Sequence, residues 1–454
     1  VLSDLRQSLV ISELMYHPPD QGAVDGDEYE FLEFKNLGAT ALDLTGVFIT
    51  DAITFFFTNG TVLLPGQTFL IVRNPAAFQA AYPGVTVNGA YSGRLDNAGE
   101  RITVRQAQGV DLLSVSYNDR PPWPVTPDGY GFSLVLDDPA TGAYRPSSQI
   151  GGSPGADDPP STTPPIVINE ILAHSPPPDV DRIELFNPTA TNVNLGGWWL
   201  SDDALQPWKY RIPDDTVILA GSYLVFDESH FHGQPGTTNN FALSSGGDDV
   251  YLFATDTGGQ LTGYVSGWDF GATEPGVSLG RHVPSTGRAR LVAQAENSFG
   301  AVNAGPRVGP LVITEIMYHP PDVDGANDTT NEFVEIFNLS TNEVPLFDPL
   351  APTNTWQLKG GVDLVFPTNV TLAPGEFALL VNFDPTEAEM LTAFQAKYGV
   401  GAGVQIFGPY QGNLDNANDD VELQKPVLLN ATNVAHVLME KVDYSDRAPW
   451  PRGA

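Results

Sequence analysis

Apolar positions along this 454-residue chain come in short runs separated by Gly, Pro, Asn and Asp. Leu9–Met15 reads as a strand stopped by His17-Pro18-Pro19. Residues 29–34 (YEFLEF) show the two-residue period of a half-buried strand, with Tyr29, Phe31 or Leu32, and Phe34 apolar and Glu30 and Glu33 among them. A turn at Asn36-Leu37-Gly38 follows, then apolar runs at 42–51 and 61–72, the second broken by Pro65-Gly66. Residues 74–82 carry the clear helical signal. Asn74 suits the N-cap, Pro75 the first helical position, and Phe78 and Tyr82 lie four apart on one face. Further strands are predicted within 93–104, 111–117 and 131–136. Roughly eight or nine short strands and one short helix in about 140 residues predict an antiparallel β-sandwich or barrel.

The pattern then repeats. ISELMYHPPD at 11–20 returns as ITEIMYHPPD at 313–322, identical at eight of ten positions, and a worn copy, INEILAHSPP, occupies 168–177. The offsets are 157 residues from Ile11 to Ile168 and 145 from Ile168 to Ile313. They exceed the ~20–50 residues of solenoid repeats and match the ~150 residues of an independent domain. The predicted organisation is one unit at 1–150, a Pro/Gly/Ser linker at 151–165, a divergent unit at 166–305 and a third unit at 306–454. In the third unit 332–338 answers 30–36, 371–381 answers 61–72, and 384–398 answers the helix. Likewise 412–421 answers 93–102, and 442–451 answers 115–124. GFSLVLDD at 131–138, the expected closing strand of unit one, has no counterpart there. Two expectations follow: a truncated sequence, which is favoured, or a strand donated by another molecule.

Composition narrows the function classes. With 55 acidic and 21 basic residues the net charge is −34, which repels phosphate backbones and anionic bilayers and argues against nucleic-acid binding. Divalent cations and neutral or cationic partners stay open. The absence of cysteine excludes disulfides, thiolate zinc sites and Cys nucleophiles. No apolar run approaches the ~18 residues of a spanning helix, so membrane insertion is not expected. An acidic, Cys-free chain rich in Gly, Pro, Asn and Thr fits a large bacterial surface protein. A first residue of Val1 fits either a removed signal peptide or a fragment.

Taken in order, the blocks I-x-E-I/L-M-Y-H-P-P, E-F-x-E, the Pro-Gly strand turn, F-Q-A-x-Y, G-x-L-D-N-A and D-R-x-P-W-P resemble the bacterial lamin tail domain. The resemblance covers nearly the whole chain. Unit two departs by losing the Tyr-Pro that follows the first strand, the helix motif and D-R-x-P-W-P, while keeping Trp198-Trp199 and SSGGDD at 244–249. The resemblance implies an all-β fold of three tandem immunoglobulin-like β-sandwiches, each with one short helix at most. It further implies non-catalytic modules strung on large secreted or surface proteins, with no ligand to carry over.

Several residues invite chemistry. Glu13, His17 and Glu33 recur as Glu170, His174, Glu184 and as Glu315, His319, Glu335. They read either as a catalytic or metal pair or as edge-capping carboxylates with a packed His; repetition in three units favours the latter. The loop 322–328 (DVDGAND), with Asp322, Asp324 and Asp328, and its counterpart with Asp25 and Asp27 space oxygen ligands as a calcium loop does, although the EF-hand pattern is not met. Calcium is the one cofactor these loops suggest. Trp123, Trp198, Trp199, Trp268 and Trp450 are either core anchors or sugar-stacking platforms, and Trp198-Trp199 should place one ring inward and one outward. Asp119-Arg120 and Asp446-Arg447 read as local ion pairs. Asn59, Asn338, Asn369 and Asn430 fit the N-glycosylation pattern. No nucleophile-elbow, P-loop, Rossmann or zincin motif occurs.

Two functions are therefore expected. The first is a non-catalytic structural or interaction segment of a secreted or cell-surface protein, working through protein partners or self-association into a fibre. The alternative is a calcium-dependent or glycan-binding adhesion module.

Overall fold

In a computed structural model the described residues are 2–107, 109–232, 240–285, 287, 289–430, 433–446 and 450. They form an all-β fold in several mainly antiparallel sheets with few helices, Thr68–Val72 with Gly89–Ala90 and Phe377–Val381 with Gln405–Phe407 being parallel pairs. Contacts divide the chain into two compact units. The first is Val1–Ile168 with Glu184–Ala242 and Asp249–Asp269; the second is Asn169–Ile183, Leu243–Asp248 and Phe270–Ala454. This division runs through the second sequence repeat.

In the first unit a six-stranded sheet has the order Ala143–Pro146, Leu134–Asp138, Leu9–Met15, Phe31–Asn36, Thr68–Val72, Gly89–Ala90. A five-stranded sheet contains Val110–Ser116, Arg101–Gln106, Val47–Ile49, Ile53–Phe56 and Ser92–Gly93. One core cluster draws on both, with Ile11, Leu32, Phe34, Ile49, Ile102, Val104 and Leu134 all buried. Leu9–Met15 is thus an interior strand, paired to Phe31–Asn36 on one side and to Leu134–Asp138 on the other.

The expected half-buried strand at 29–34 is corrected. Gly26–Tyr29 is a 3-10 turn and the strand is Phe31–Asn36. Both faces are covered: Phe31, Leu32, Glu33 and Phe34 are all buried, as is Glu30. The reason is the helix Pro75–Ala81, whose Phe78 packs edge-on against Phe31 at 5.9 Å. Asn74 caps that helix as predicted, its Oδ1 accepting from Ala76 N at 3.0 Å and Ala77 N at 3.3 Å.

The linker is corrected too. Its first half is part of the first sandwich, because Asp158 accepts from Arg145 Nη1 at 2.6 Å and from Ser148 N at 3.1 Å. Also inside this unit, Val125 packs with Tyr251 and Phe253, and the buried Thr126 hydroxyl donates to Gly263 O at 2.6 Å. A Cβ on Gly263 would stand 2.7 Å from Ser147 O and 2.8 Å from the Phe132 ring, at φ +83°, so only glycine permits this approach.

The second unit repeats the register. Leu311–Met317 pairs with Phe333–Asn338, placing Glu315 opposite Glu335 after an irregularity at Ile313/Glu315. In the first unit Glu13 lies opposite Glu33 after an irregularity at Ile11/Glu13. Phe377–Val381 and Gln405–Phe407 complete that sheet. Another sheet holds Gln411–Gly412, Val362–Val365, Gln357–Gly360, Asn418–Leu428 and Val434–Ser445. The core contains Val334, Ile336, Leu358, Val421 and Leu423, and helix Ala388–Tyr398 lays Phe394 on Phe333 at 5.9 Å.

Candidate functional site

Two of the recurrent glutamates, Glu13 and Glu170, are held in a clasp. Strand Leu9–Met15 carries Glu13 where its neighbour Leu134–Asp138 begins, and the carboxylate is buried. Ser133 Oγ donates to Glu13 Oε1 at 2.6 Å, Ser153 N to the same oxygen at 2.8 Å, and Ser153 Oγ to Oε2 at 3.0 Å. Burial pushes the Glu13 carboxyl up to about 7 against the lowering effect of these donors. Beside it, Glu33 accepts from Ser12 Oγ at 2.8 Å and from Gly155 N at 2.6 Å.

Glu170, in strand Val167–Leu172, repeats the arrangement. Ser278 Oγ donates to its Oε1 at 2.5 Å, Ser298 N to Oε1 at 2.9 Å, and Ser298 Oγ to Oε2 at 2.8 Å. Glu315 stands at the equivalent register position but is exposed. The histidines cap the same edges: His17 Nδ1 meets Asp128 Oδ1 and His17 O accepts from Gly129 N at 3.0 Å. His174 Nδ1 lies 2.9 Å from Thr273 O, and its carbonyl accepts from Gly276 N at 2.7 Å. His319 lies 4.0 Å from Asp322. In the first two copies Glu13 and Glu170 therefore serve serine hydroxyls and backbone amides, while His17 pairs with the Asp128 carboxylate and His174 with the Thr273 carbonyl, so that Glu and His do not serve each other.

A second carboxylate repeats between the units. Glu30 Oε2 accepts from Tyr91 Oη at 2.9 Å and Leu95 N at 3.0 Å, and burial raises its carboxyl to about 8. Glu332 Oε2 accepts from Leu414 N at 3.0 Å, and burial raises it to about 7.

Two segments, residues 4–119 and 159–266, match the lamin tail domain. That domain is immunoglobulin-like, which agrees with the sheets described above. No curated protein matches the chain. The first matched lamin tail segment holds Glu13 and the second holds Glu170, but the partner serines lie just beyond each match. Sequence reasoning missed Ser133, Ser153, Ser278 and Ser298. The readable signal was their spacing, twenty residues from Ser133 to Ser153 and twenty from Ser278 to Ser298.

The acidic loops do not converge into a metal centre. Among the described residues no group of three or more ligating side chains could hold a metal ion. Asp25 Oδ1 accepts from Asp27 N at 3.0 Å as a turn cap. Asp27 is paired with Arg73 at 3.2 Å and Arg94 at 3.4 Å. Asp328 accepts from Asn331 and pairs with Lys397 at 3.2 Å, Asp322 faces His319, and Asp324 takes a left-handed φ of 52° in the turn. The protein's own cations already compensate the two most enclosed carboxylates.

The aromatic residues divide. Trp198 is buried and Trp199 half-buried, as the strand alternation predicts. Trp199 meets Trp208 edge-on at 5.3 Å, over a groove of about 400 Å³ that also presents Arg211, Asp214 and Asp256. Trp208 was not singled out from the sequence. Trp123 packs on Tyr144 at 5.9 Å in a wider cleft of about 720 Å³ lined by Pro121, Pro122, Tyr251 and Tyr264. Trp268 is an anchor, its Nε1 donating to Ile168 O at 3.1 Å. Trp450 is exposed. Asp119 and Arg120 lie 4.0 Å apart; Arg447 lies outside the described residues, as does Thr432 of the Asn430 sequon. Asn59 and Asn369 are exposed. Asn338, by contrast, is buried, its Nδ2 donating to Asn342 O and Leu372 O at 2.8 and 3.0 Å and its Oδ1 accepting from Ser340 N at 3.0 Å, so its amide is engaged within the fold. Asn36 and Asn187 make the same type of bond to Thr40 O and Thr191 O, each at 2.8 Å.

Proposed function

We propose that this chain is a non-catalytic structural and interaction segment of a large secreted or cell-surface bacterial protein, built from three lamin-tail-type modules at 1–150, 166–305 and 306–454. The supporting observation is the repeated clasp: buried carboxylates recur in successive modules and are spent on serine hydroxyls and backbone amides that hold strands together. A nucleophile or general base needs a reactive group reachable by substrate, whereas these are enclosed. Self-association and protein partners are the interactions this reading favours. Purified chain examined by mass photometry and electron microscopy should show concentration-dependent assembly; monomers at every concentration would remove the fibre from this reading.

The alternative, an adhesion module, is favoured by one observation: the half-exposed Trp199/Trp208 pair beside polar Arg211, Asp214 and Asp256. Aromatic faces flanked by charged donors and acceptors suit a sugar ring. A glycan array should give hits that Trp208→Ala abolishes, and an array without hits rejects this alternative.

A further inference from the structure

Two Asn-Gly pairs occur in the sequence, Asn59-Gly60 and Asn88-Gly89, and the first sandwich holds them differently. Asn88 is tied to Leu70 twice: its Oδ1 accepts from Leu70 N and its own N–H donates to Leu70 O, each at 2.8 Å. Gly89 lies in a parallel strand pairing opposite Ile71. It is also crowded, since a Cβ there would stand 2.6 Å from the Phe55 ring. Asn59-Gly60, by contrast, sits in the exposed turn between strands Ile53–Phe56 and Val62–Leu63. That turn is closed by Thr61 N donating to Thr58 O at 3.1 Å, and Gly60 N donates to Thr45 Oγ1 at 3.0 Å. Among the described residues no hydrogen bond holds the Asn59 carboxamide. A Cβ at Gly60 would meet nothing within 4 Å, so the space beside its amide is open.

We propose that Asn59-Gly60 is a self-modification site, where the chain converts its own asparagine to an aspartyl or isoaspartyl residue, and that Asn88-Gly89 is not. A short carboxamide can reach the backbone beside it, and glycine offers its nitrogen without a shielding Cβ. The Gly60 nitrogen attacks Asn59 Cγ, the Cγ–Nδ2 bond breaks, and ammonia departs with the proton that Gly60 N gives up. Thr45 Oγ1 already receives the N–H whose proton must leave. Water then hydrolyses the cyclic imide: opening at one carbonyl gives the aspartyl form, opening at the other the isoaspartyl form. No further reactant is needed. At Asn88 the same step would first have to break the Oδ1 bond to Leu70 and turn the carboxamide beside a paired strand. Each conversion takes the net charge of −34 one unit further negative. It also removes the asparagine of the 59–61 glycosylation pattern, so the two modifications exclude each other at this residue.

The test holds the full chain at physiological temperature in mildly alkaline buffer made with heavy-oxygen water and maps its peptides by mass spectrometry. Conversion at Asn59 should accumulate with time, carry heavy oxygen from the solvent, and exceed conversion at Asn88 about tenfold or more, since only Asn59 is free to reach the near-attack geometry. In denaturant, where both pairs are released, the two residues should convert at comparable rates. Asn59 is exposed, so Asn59→Gln leaves folding intact, and it should abolish the signal because the longer side chain closes a larger ring far more slowly. An unchanged Asn59, equal conversion of Asn59 and Asn88 in the folded chain, product free of solvent oxygen, or a signal that persists in Asn59→Gln would overturn the proposal.

Discussion

Glu13, Glu30 and Glu332 lie where a carboxylate is least comfortable, and burial raises them to about 7, 8 and 7 from the ordinary 4.5. Between pH 4.5 and about 8 the folded chain therefore holds protons that the unfolded chain has released, so stability falls as pH rises, by up to about 1.4 kcal/mol per pH unit for a fully coupled group. Protonated His17, whose raised value comes from its hydrogen bond to Asp128, acts in the same direction: its stabilisation is present at low pH and lost as pH climbs past its folded value. Thermal melts should show a melting temperature several degrees higher at pH 5 than at pH 8. Glu30→Gln should flatten that slope; a melting temperature rising toward pH 8 would contradict this assignment. The presence of Glu at these positions was plain from the repeats. Their enclosure was not, because Ser133 and Ser153 are distant in sequence and only the fold brings them to Glu13.

The elements show why periodicity alone misread one strand. YEFLEF has the alternation of a one-sided strand, yet helix Pro75–Ala81 covers its second face, and Met15, Leu70 and Val72 join Phe31 and Phe78 beneath it. Local signals located that helix well, since its cap lies in adjacent residues. They did not show that its main contribution is tertiary. Phe78→Ala should cost about 3–5 kcal/mol, whereas Asn74→Ala should cost about 1 kcal/mol. Guanidinium unfolding followed by intrinsic fluorescence would rank the two; equal costs would mean that capping, not packing, holds the helix. Phe394 on Phe333 and Phe383 makes the corresponding contact in helix Ala388–Tyr398.

For the molecule as a whole, net charge −34 suggests a cation-dependent protein, but charge count and cation site are different things. Asp27 and Asp328 are already engaged by Arg73, Arg94 and Lys397, and a calcium ion would have to displace them. Calcium titrated to millimolar concentration should leave the melting temperature unchanged; a rise of several degrees, the signature of a ligand bound to the folded state, would restore the calcium reading.

The sequence by itself determined the all-β class, the repeat period, the helix with its cap, and the family resemblance that the matched segments support. These are written in local periodicity and in strings repeated within the chain, which need no third dimension. Only the tertiary structure decided that the linker's first half belongs to the first sandwich, that the repeated glutamates are clasped by serines twenty residues apart, and that Glu315 has no such clasp among the described residues. Those facts depend on which edge lies against which segment, and beyond the recurring twenty-residue serine spacing the partners of Glu13 and Glu170, more than a hundred residues away, leave no mark in local pattern.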